Sequence, residues 1–262
     1  MYNPQKQNLF KRIILVLFPR HLKCVCCNTD LPEKSEYAFC ESCEKALPLN
    51  NGNVCTRCGV YLSQSGRLCL ACKAHTANYV EARAPLRYKD KVPTLIRRFK
   101  YDNQQYLANV FGRLMLDSYL LSGWQADCII PVPLFERRQK RRGYNQAYLL
   151  AKYISDKTQI PLDITNLVRI KDTPTQVKLT YKQRAQNLER AFKVLNKQEL
   201  KGKTVLLIDD VITTTATINE CALALNKAGV KAVYALSAAR ADQKTPMAGT
   251  PKESLPVNVL YN

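Results

Sequence analysis

Residues 205–217 read Val-Leu-Leu-Ile-Asp-Asp-Val-Ile-Thr-Thr-Thr-Ala-Thr. Four apolar residues run into two adjacent carboxylates, a hydroxyl-rich turn follows, and a helix opens. A short unbroken apolar run suits a strand covered on both faces of a parallel sheet. Ligands of open α/β sheets bind outside the carboxyl ends of such strands. This one stretch points to an α/β fold and to the place where its site should lie.

The rest of the chain agrees with that class. From about residue 78, segments of strand and helix character alternate. Strands are expected at 80–88, 128–132, 167–170, 204–208 and 232–237, and helices at 93–99, 104–121, 143–157 and 215–228, with a charged helical arm at 180–190. Such alternation implies a parallel sheet with right-handed crossovers. The chain divides into a leading amphipathic helix over 1–20, a cysteine module over 21–76, the α/β domain over 78–241 and a polar, proline-punctuated tail over 242–262. Leu9, Phe10, Ile13, Ile14 and Leu17 share one face of the leading helix, which either packs on the protein or touches a membrane surface. Its apolar run, residues 13–18, is far short of the ~20 residues that span a bilayer.

Eight of the eleven cysteines form four C-x-x-C pairs: Cys24/Cys27, Cys40/Cys43, Cys55/Cys58 and Cys69/Cys72. Paired thiolates on tight turns chelate a tetrahedral zinc from two sides. With no secretory signal in view, the expected compartment is the reducing cytoplasm, where disulfides, the alternative, are disfavoured. The module is too short and polar to build its own core, so metal must hold it together. Two ribbons in series are the simplest arrangement, with Cys24, Cys27, Cys40 and Cys43 on one Zn²⁺ and Cys55, Cys58, Cys69 and Cys72 on another. The spacing also admits nested or interleaved pairing. Cys26 makes the first knuckle ambiguous, and His21 and His75 flank the array as substitute ligands. Cys128 and Cys221 read as small core hydrophobes.

Lys plus Arg number 40 against 21 Asp plus Glu, a net charge of +19. Residues 81–204 hold 25 of those basic side chains and 11 of the acidic ones. A field of this sign attracts nucleic acid, nucleotides or pyrophosphate. The densest part, Arg137-Arg138-Gln139-Lys140-Arg141-Arg142, follows a second strand end, Ile129-Ile130-Pro131-Val132-Pro133. If the two strands are neighbours, both loops open on one sheet edge. Arg137, Arg138, Arg141 and Arg142 would then offer guanidinium forks to a pyrophosphate. The same loop suits a nucleic-acid surface.

At 209–217 the plain reading is an acidic strand end that caps the next helix. Taken together, the thirteen residues resemble the binding motif for PRPP (5-phosphoribosyl-1-pyrophosphate) in type I phosphoribosyltransferases. On that resemblance Asp209 and Asp210 accept hydrogen bonds from the two ribose hydroxyls. Thr213, Thr214, Thr215, Ala216 and Thr217, at the positive end of a helix with unfilled N–H groups, take the 5′-phosphate. Thr215 stands where that family carries Gly or another small residue. A β-branched residue at positive φ would be an outlier, so either the turn avoids that region or phosphate binding is weakened.

The joint pattern of four C-x-x-C pairs, Pro131-Val132-Pro133, Arg141-Arg142-Gly143-Tyr144-Asn145-Gln146-Ala147 and the Asp-Asp motif closely resembles the ComF family. These are competence-associated proteins with a double zinc ribbon and a phosphoribosyltransferase domain. The lead-in Leu17-Phe18-Pro19 and the arm from Pro174-Thr175-Gln176 through Leu179, Arg184, Asn187 and Phe192 resemble it too. The resemblance implies a type I phosphoribosyltransferase-like, doubly wound, mainly parallel sheet with a small N-terminal zinc-ribbon module. It implies PRPP bound with Mg²⁺, two structural Zn²⁺, and a role in natural transformation, handling internalised single-stranded DNA. The implied chemistry is displacement at C1′ of PRPP, with Asp209 and Asp210 as catalytic candidates. The arm over 171–190, with Lys182 and Arg184, resembles a mobile flap. No segment announces an acceptor pocket. Three functions stay open: a transferase to an unknown acceptor, a single-stranded-DNA-binding protein that uses PRPP only as a ligand, and a zinc-ribbon adaptor for a competence or helicase-like partner.

Overall fold

The computed structural model describes residues 23–31, 38–172 and 190–242. The leading helix, His21, the tail from 243, and the arm residues 173–189, with Lys182 and Arg184, lie outside the described residues.

The apolar run forms a buried strand, and the strand continues through both acids to Ile212. In chain order the described elements are α1 (Glu41–Lys45), α2 (Leu70–Ala74), β1 (Glu81–Arg83), β2 (Leu86–Arg87), α3 (Val92–Tyr101), α4 (Leu107–Ser122) and β3 (Cys128–Pro131). There follow α5 (Glu136–Arg142), α6 (Gln146–Thr158), β4 (Leu167–Arg169), β5 (Phe192–Val194), α7 (Lys197–Leu200), β6 (Thr204–Ile212), α8 (Ala216–Asn226) and β7 (Ala232–Arg240). On one flank β6 pairs with β7 from Thr204 opposite Ala232 to Ile212 opposite Arg240. On the other it pairs with β3, whose last partner pair is Pro131 with Ile208. β1 and β2 lie end to end along the far side of β7, and Leu162 bridges Ile129 beyond β3. Every one of these pairings is parallel. The strand expected at 80–88 is broken at Pro85, which has no N–H for a ladder. The strand expected at 167–170 leaves the main sheet and forms an antiparallel hairpin with β5.

Strand side chains alternate between faces, and both faces here are covered. Ile130, Val205, Leu207, Val233 and Ala235 pack on the side of α8 and the β4–β5 hairpin. Ile129, Leu206, Ile208, Leu236 and Ala238 pack on the side of α3, α4 and α6. The two cysteine groups separate across this sandwich. Cys55, Cys58, Val60 and Cys69 belong to the α8 side, whereas Cys24, Val25 and Phe39 belong to the α3 side. The ribbon chain also closes a sheet edge. The Ala82 N–H donates to the Arg57 carbonyl, that of Asn50 to Pro85, and that of Arg87 to Pro48, each at 2.8 Å. Those bonds fill groups that an exposed edge strand would leave open to other chains. Among the described residues no helix is long and apolar enough to cross a membrane.

Candidate functional site

Sheet order places the site. After β3 the chain crosses by α6 to the edge at Leu162; after β6 it crosses by α8 to β7 on the opposite side. The winding reverses between β3 and β6, and a crevice at such a switch point is where open α/β sheets take their ligands. The β3 ladder ends at Ile208, whose carbonyl accepts from the Val132 N–H at 2.8 Å. Residues 209–212 therefore extend past β3 and line the crevice. The expected neighbourhood of the two strand ends is present.

Within it the two acids diverge. Strand alternation carries Asp209 and Asp210 to opposite faces, so they do not present as a side-by-side pair. Asp210 is buried on the α3 side, where its Oδ1 is 2.8 Å from Lys100 Nζ. Burial alone would lower the Lys100 ammonium, but Asp210, with Asp209 adding, lifts it above its ordinary value. Asp209 lies on the α8 side, within electrostatic reach of Arg169 and Cys221. Burial and the neighbouring Asp210 charge push its carboxyl up to about 7, against the opposing pull of Lys100, of the Asp210 N–H that it accepts at 2.8 Å, and of Arg169.

The turn after β6 settles the question that Thr215 raised. Thr215 sits at φ +63°, in the left-handed region, as the N-cap of α8. Its side chain caps none of the helix amides; the buried Tyr79 lies beside it. The first-turn amides of α8 thus keep their anion-binding capacity. Thr213 is exposed, Thr214 and Thr217 are half-buried, and Ala216 is buried. A left-handed L-residue costs roughly 1–2 kcal/mol, whereas glycine adopts that conformation without strain. Thr215→Gly is therefore expected to be neutral or up to ~1 kcal/mol more stable. Thr217→Gly, in the first turn of the helix, should lose a few tenths of a kcal/mol. Urea midpoints for the two variants check this; a Thr215→Gly loss as large as that of Thr217→Gly would contradict it.

The basic stretch is a helix, α5, rather than a loop, since nothing within Glu136–Arg142 breaks a helix and Gly143 ends it at φ +83°. That helix splits the four arginines. Arg138 and Arg142 are half-buried, whereas Arg137 and Arg141 are exposed, the former 3.8 Å from Asp172. Arg142 donates to Gln146 Oε1 at 2.5 Å and lies over the Tyr101 ring. Asn145 caps α6 through the Ala147 N–H at 3.0 Å and ties it to β3 by donating to the Val132 carbonyl at 3.1 Å. Lys100, Arg169, Arg240 and Tyr79 also reach this region, and sequence reading missed all four. Lys100 lies 110 positions from Asp210, so no periodicity connects them.

The cysteines gather in series. Ligand atoms of Cys24, Cys27, Cys40 and Cys43 lie within 4.8 Å of one another, as do those of Cys55, Cys58, Cys69 and Cys72. A tetrahedron with 2.3 Å Zn–S arms has edges of about 3.8 Å. The Cys27–Cys40 and Cys58–Cys69 sulfurs are 3.5 and 3.7 Å apart, so both groups fit zinc. Cys26 and His75 stand outside both groups.

Two family models match the chain: a double zinc ribbon domain over residues 13–73 and a phosphoribosyl transferase domain over residues 119–256. Lys100 lies between them. Competence protein F of Haemophilus influenzae is 34% identical over 228 residues, covering 84% of this chain and 98% of the relative. DNA utilization protein YhgH of Escherichia coli K12 is 29% identical over 202 residues, covering 75% and 88%. Competence protein ComFC of Bacillus subtilis is 26% identical over 211 residues, covering 75% and 81%.

Proposed function

The chain belongs to the ComF family, and from that premise we propose that it binds PRPP with Mg²⁺ in the crevice between β3 and β6 and serves natural competence by handling internalised single-stranded DNA. The observation that carries the reading is the switch-point crevice, where β6 delivers Asp209 and Asp210 beside the first turn of α8. The α8 amides and the hydroxyls of Thr213, Thr214 and Thr217 take the 5′-phosphate. Asp210 accepts from a ribose hydroxyl once Lys100 releases it, and Lys100 then turns to the pyrophosphate with Arg142 and Arg138. Arg137 and Arg141 are left to a polyanion outside the crevice. Mg²⁺, when bound, would screen the pyrophosphate charge and ease its departure from C1′. Charge that builds on the ribose ring would be stabilised by the nearby carboxylates. The two cysteine groups hold structural Zn²⁺, and their thiols suit the reducing cytoplasm.

Calorimetric titration with PRPP and Mg²⁺ tests this. Wild type should give saturable heat and Asp209→Asn/Asp210→Asn none, with both proteins equally folded; wild type without heat refutes the proposal. Pyrophosphate release on incubation with PRPP marks a transferase, and binding without release marks PRPP as a ligand. Affinity for single-stranded DNA should fall steeply with salt, because phosphate contacts release counterions.

Asp209 adds a pH signature. Its folded value of about 7 lies above the unfolded carboxyl value of about 4. The folded state therefore holds a proton that the unfolded chain gives up, and this group's contribution to stability falls as pH rises from about 4 to about 7. Ligand binding runs the other way. A ribose hydroxyl donates to the ionised form, so PRPP–Mg²⁺ affinity should rise from about pH 6 to about pH 8. Calorimetry at neutral pH, in buffers of different ionisation enthalpy, should show proton release on binding. The signal should vanish in Asp209→Asn; its persistence there would assign the proton elsewhere.

A further inference from the structure

Arg240, at 2% exposure, is the largest fully buried side chain among the described residues. A buried guanidinium is costly unless its donors are filled and its charge is met. Nε donates to the Cys58 carbonyl at 2.8 Å, and Nη2 points to Cys58 Sγ at 3.6 Å. Nη1 donates to the Ile212 and Ala241 carbonyls, both at 3.0 Å, and to that of Thr213. One rigid fork thus grips a zinc-ligand residue at one end and the start of the phosphate turn at the other. These partners are carbonyls and a sulfur. Four thiolates around Zn²⁺ sum to −2, a counter-charge placed against the guanidinium.

Asn78 forms a second strut. Its backbone is pinned to α8: its N–H donates to Asn219 Oδ1 at 2.8 Å, and its carbonyl accepts from Asn226 Nδ2 at 2.7 Å. The Asn219 N–H in turn donates to the Thr215 carbonyl at 2.8 Å, so the strut reaches the turn. This segment is the exit of the second ribbon.

We propose that the second zinc site sets the phosphate turn: Arg240 and the Asn78–Asn219 bond hold residues 212–215 in their anion-binding shape while Cys58 is part of the zinc-loaded ribbon, so zinc retention and anion binding are coupled. The proposal rests on the PRPP reading of the turn. Linkage makes the coupling reciprocal. Metal ligands are steadied by hydrogen bonds from the residues behind them, and Arg240 is a positioning residue of that kind for both partners.

The test is zinc release from the full-length, zinc-loaded protein to a chromogenic chelator, with and without PRPP–Mg²⁺. One of the two ions should leave at least about fivefold more slowly with ligand, and the other at an unchanged rate. Ligand-independent release of both, in protein shown by calorimetry to bind PRPP, overturns the coupling and leaves the PRPP reading standing. Absence of PRPP heat sinks that reading instead, and the struts are then judged without ligand. Arg240→Lys and Asn219→Ala should each release the same zinc faster and exchange the amides of 212–217 faster, with the α4 and α6 amides unchanged. Wild-type exchange and zinc release in these variants overturns the proposal. Asn219→Ala, which removes one side-chain amide at a helix position that alanine suits, carries this arm where Arg240→Lys does not fold.

Discussion

Removal of both zinc ions is expected to melt the central sheet, not the ribbons alone. Cys55, Cys58 and Cys69 are 0, 1 and 5% exposed and share one core with α8 and the inner face of β6. The ribbon backbone also supplies the outer hydrogen bonds of β1 and β2. Structural zinc contributes an apparent ~10–16 kcal/mol to small metal domains. A whole domain is commonly stable by only ~5–15 kcal/mol, so loss of the second ion exceeds what the sheet can absorb. The first site differs in degree, since its Cys27 is exposed and Cys40 and Cys43 are half-buried. Metal analysis should find two zinc ions per chain. Chelation should release the first with little change in circular dichroism and the second together with the sheet signal. A zinc-free protein that keeps a cooperative, wild-type-like unfolding transition would refute the shared core.

Gly59→Ala should be nearly as damaging. Gly59 follows the Cys55–Cys58 knuckle at φ +65°, and a Cβ built there would lie 2.5 Å from the Ala82 carbonyl oxygen. That oxygen belongs to β1 and cannot swing aside as a side chain would. The left-handed conformation alone costs an alanine roughly 1–2 kcal/mol, and forced separation of two backbones brings the loss to ~3 kcal/mol or more. The knuckle is held on both sides, by Gly59 N–H to the Cys55 carbonyl at 2.9 Å and by Asn50 Nδ2 to the Gly59 carbonyl at 2.8 Å. The variant should hold its second zinc more weakly and unfold at a much lower urea concentration. Gly66→Ala is the control, because a Cβ there meets nothing within 4 Å. Equal midpoints for the two variants would show that the ribbon and β1 are not in forced contact.

Much of this architecture is legible in the chain. An apolar run such as 205–208 has few fates in a protein of this size, because it must be buried on both faces. Two cysteines at C-x-x-C spacing meet one metal whatever surrounds them, since the tight turn is local. The capping asparagine and terminating glycine of 143–145 act within a few residues, so that helix start also follows from sequence. The arginines before it read as a loop because charge density hides their good helix propensity; Arg, Lys and Gln are all strong helix formers.

Local chemistry thus determined the strands, the knuckles and the place of the threonine turn. Packing alone decided which knuckles share a site, that β3 lies beside β6, and that Asp209 and Asp210 face opposite ways with Lys100 on one of them. It also decided that Arg240 and the Asn78–Asn219 bond tie the second ribbon to that turn. The reason is range: a hydrogen bond or an apolar run constrains its own neighbours, but partners 28, 110, 141 or 182 positions apart, as Ile212, Lys100, Asn78 and Cys58 are from theirs, leave no pattern until the core brings them together.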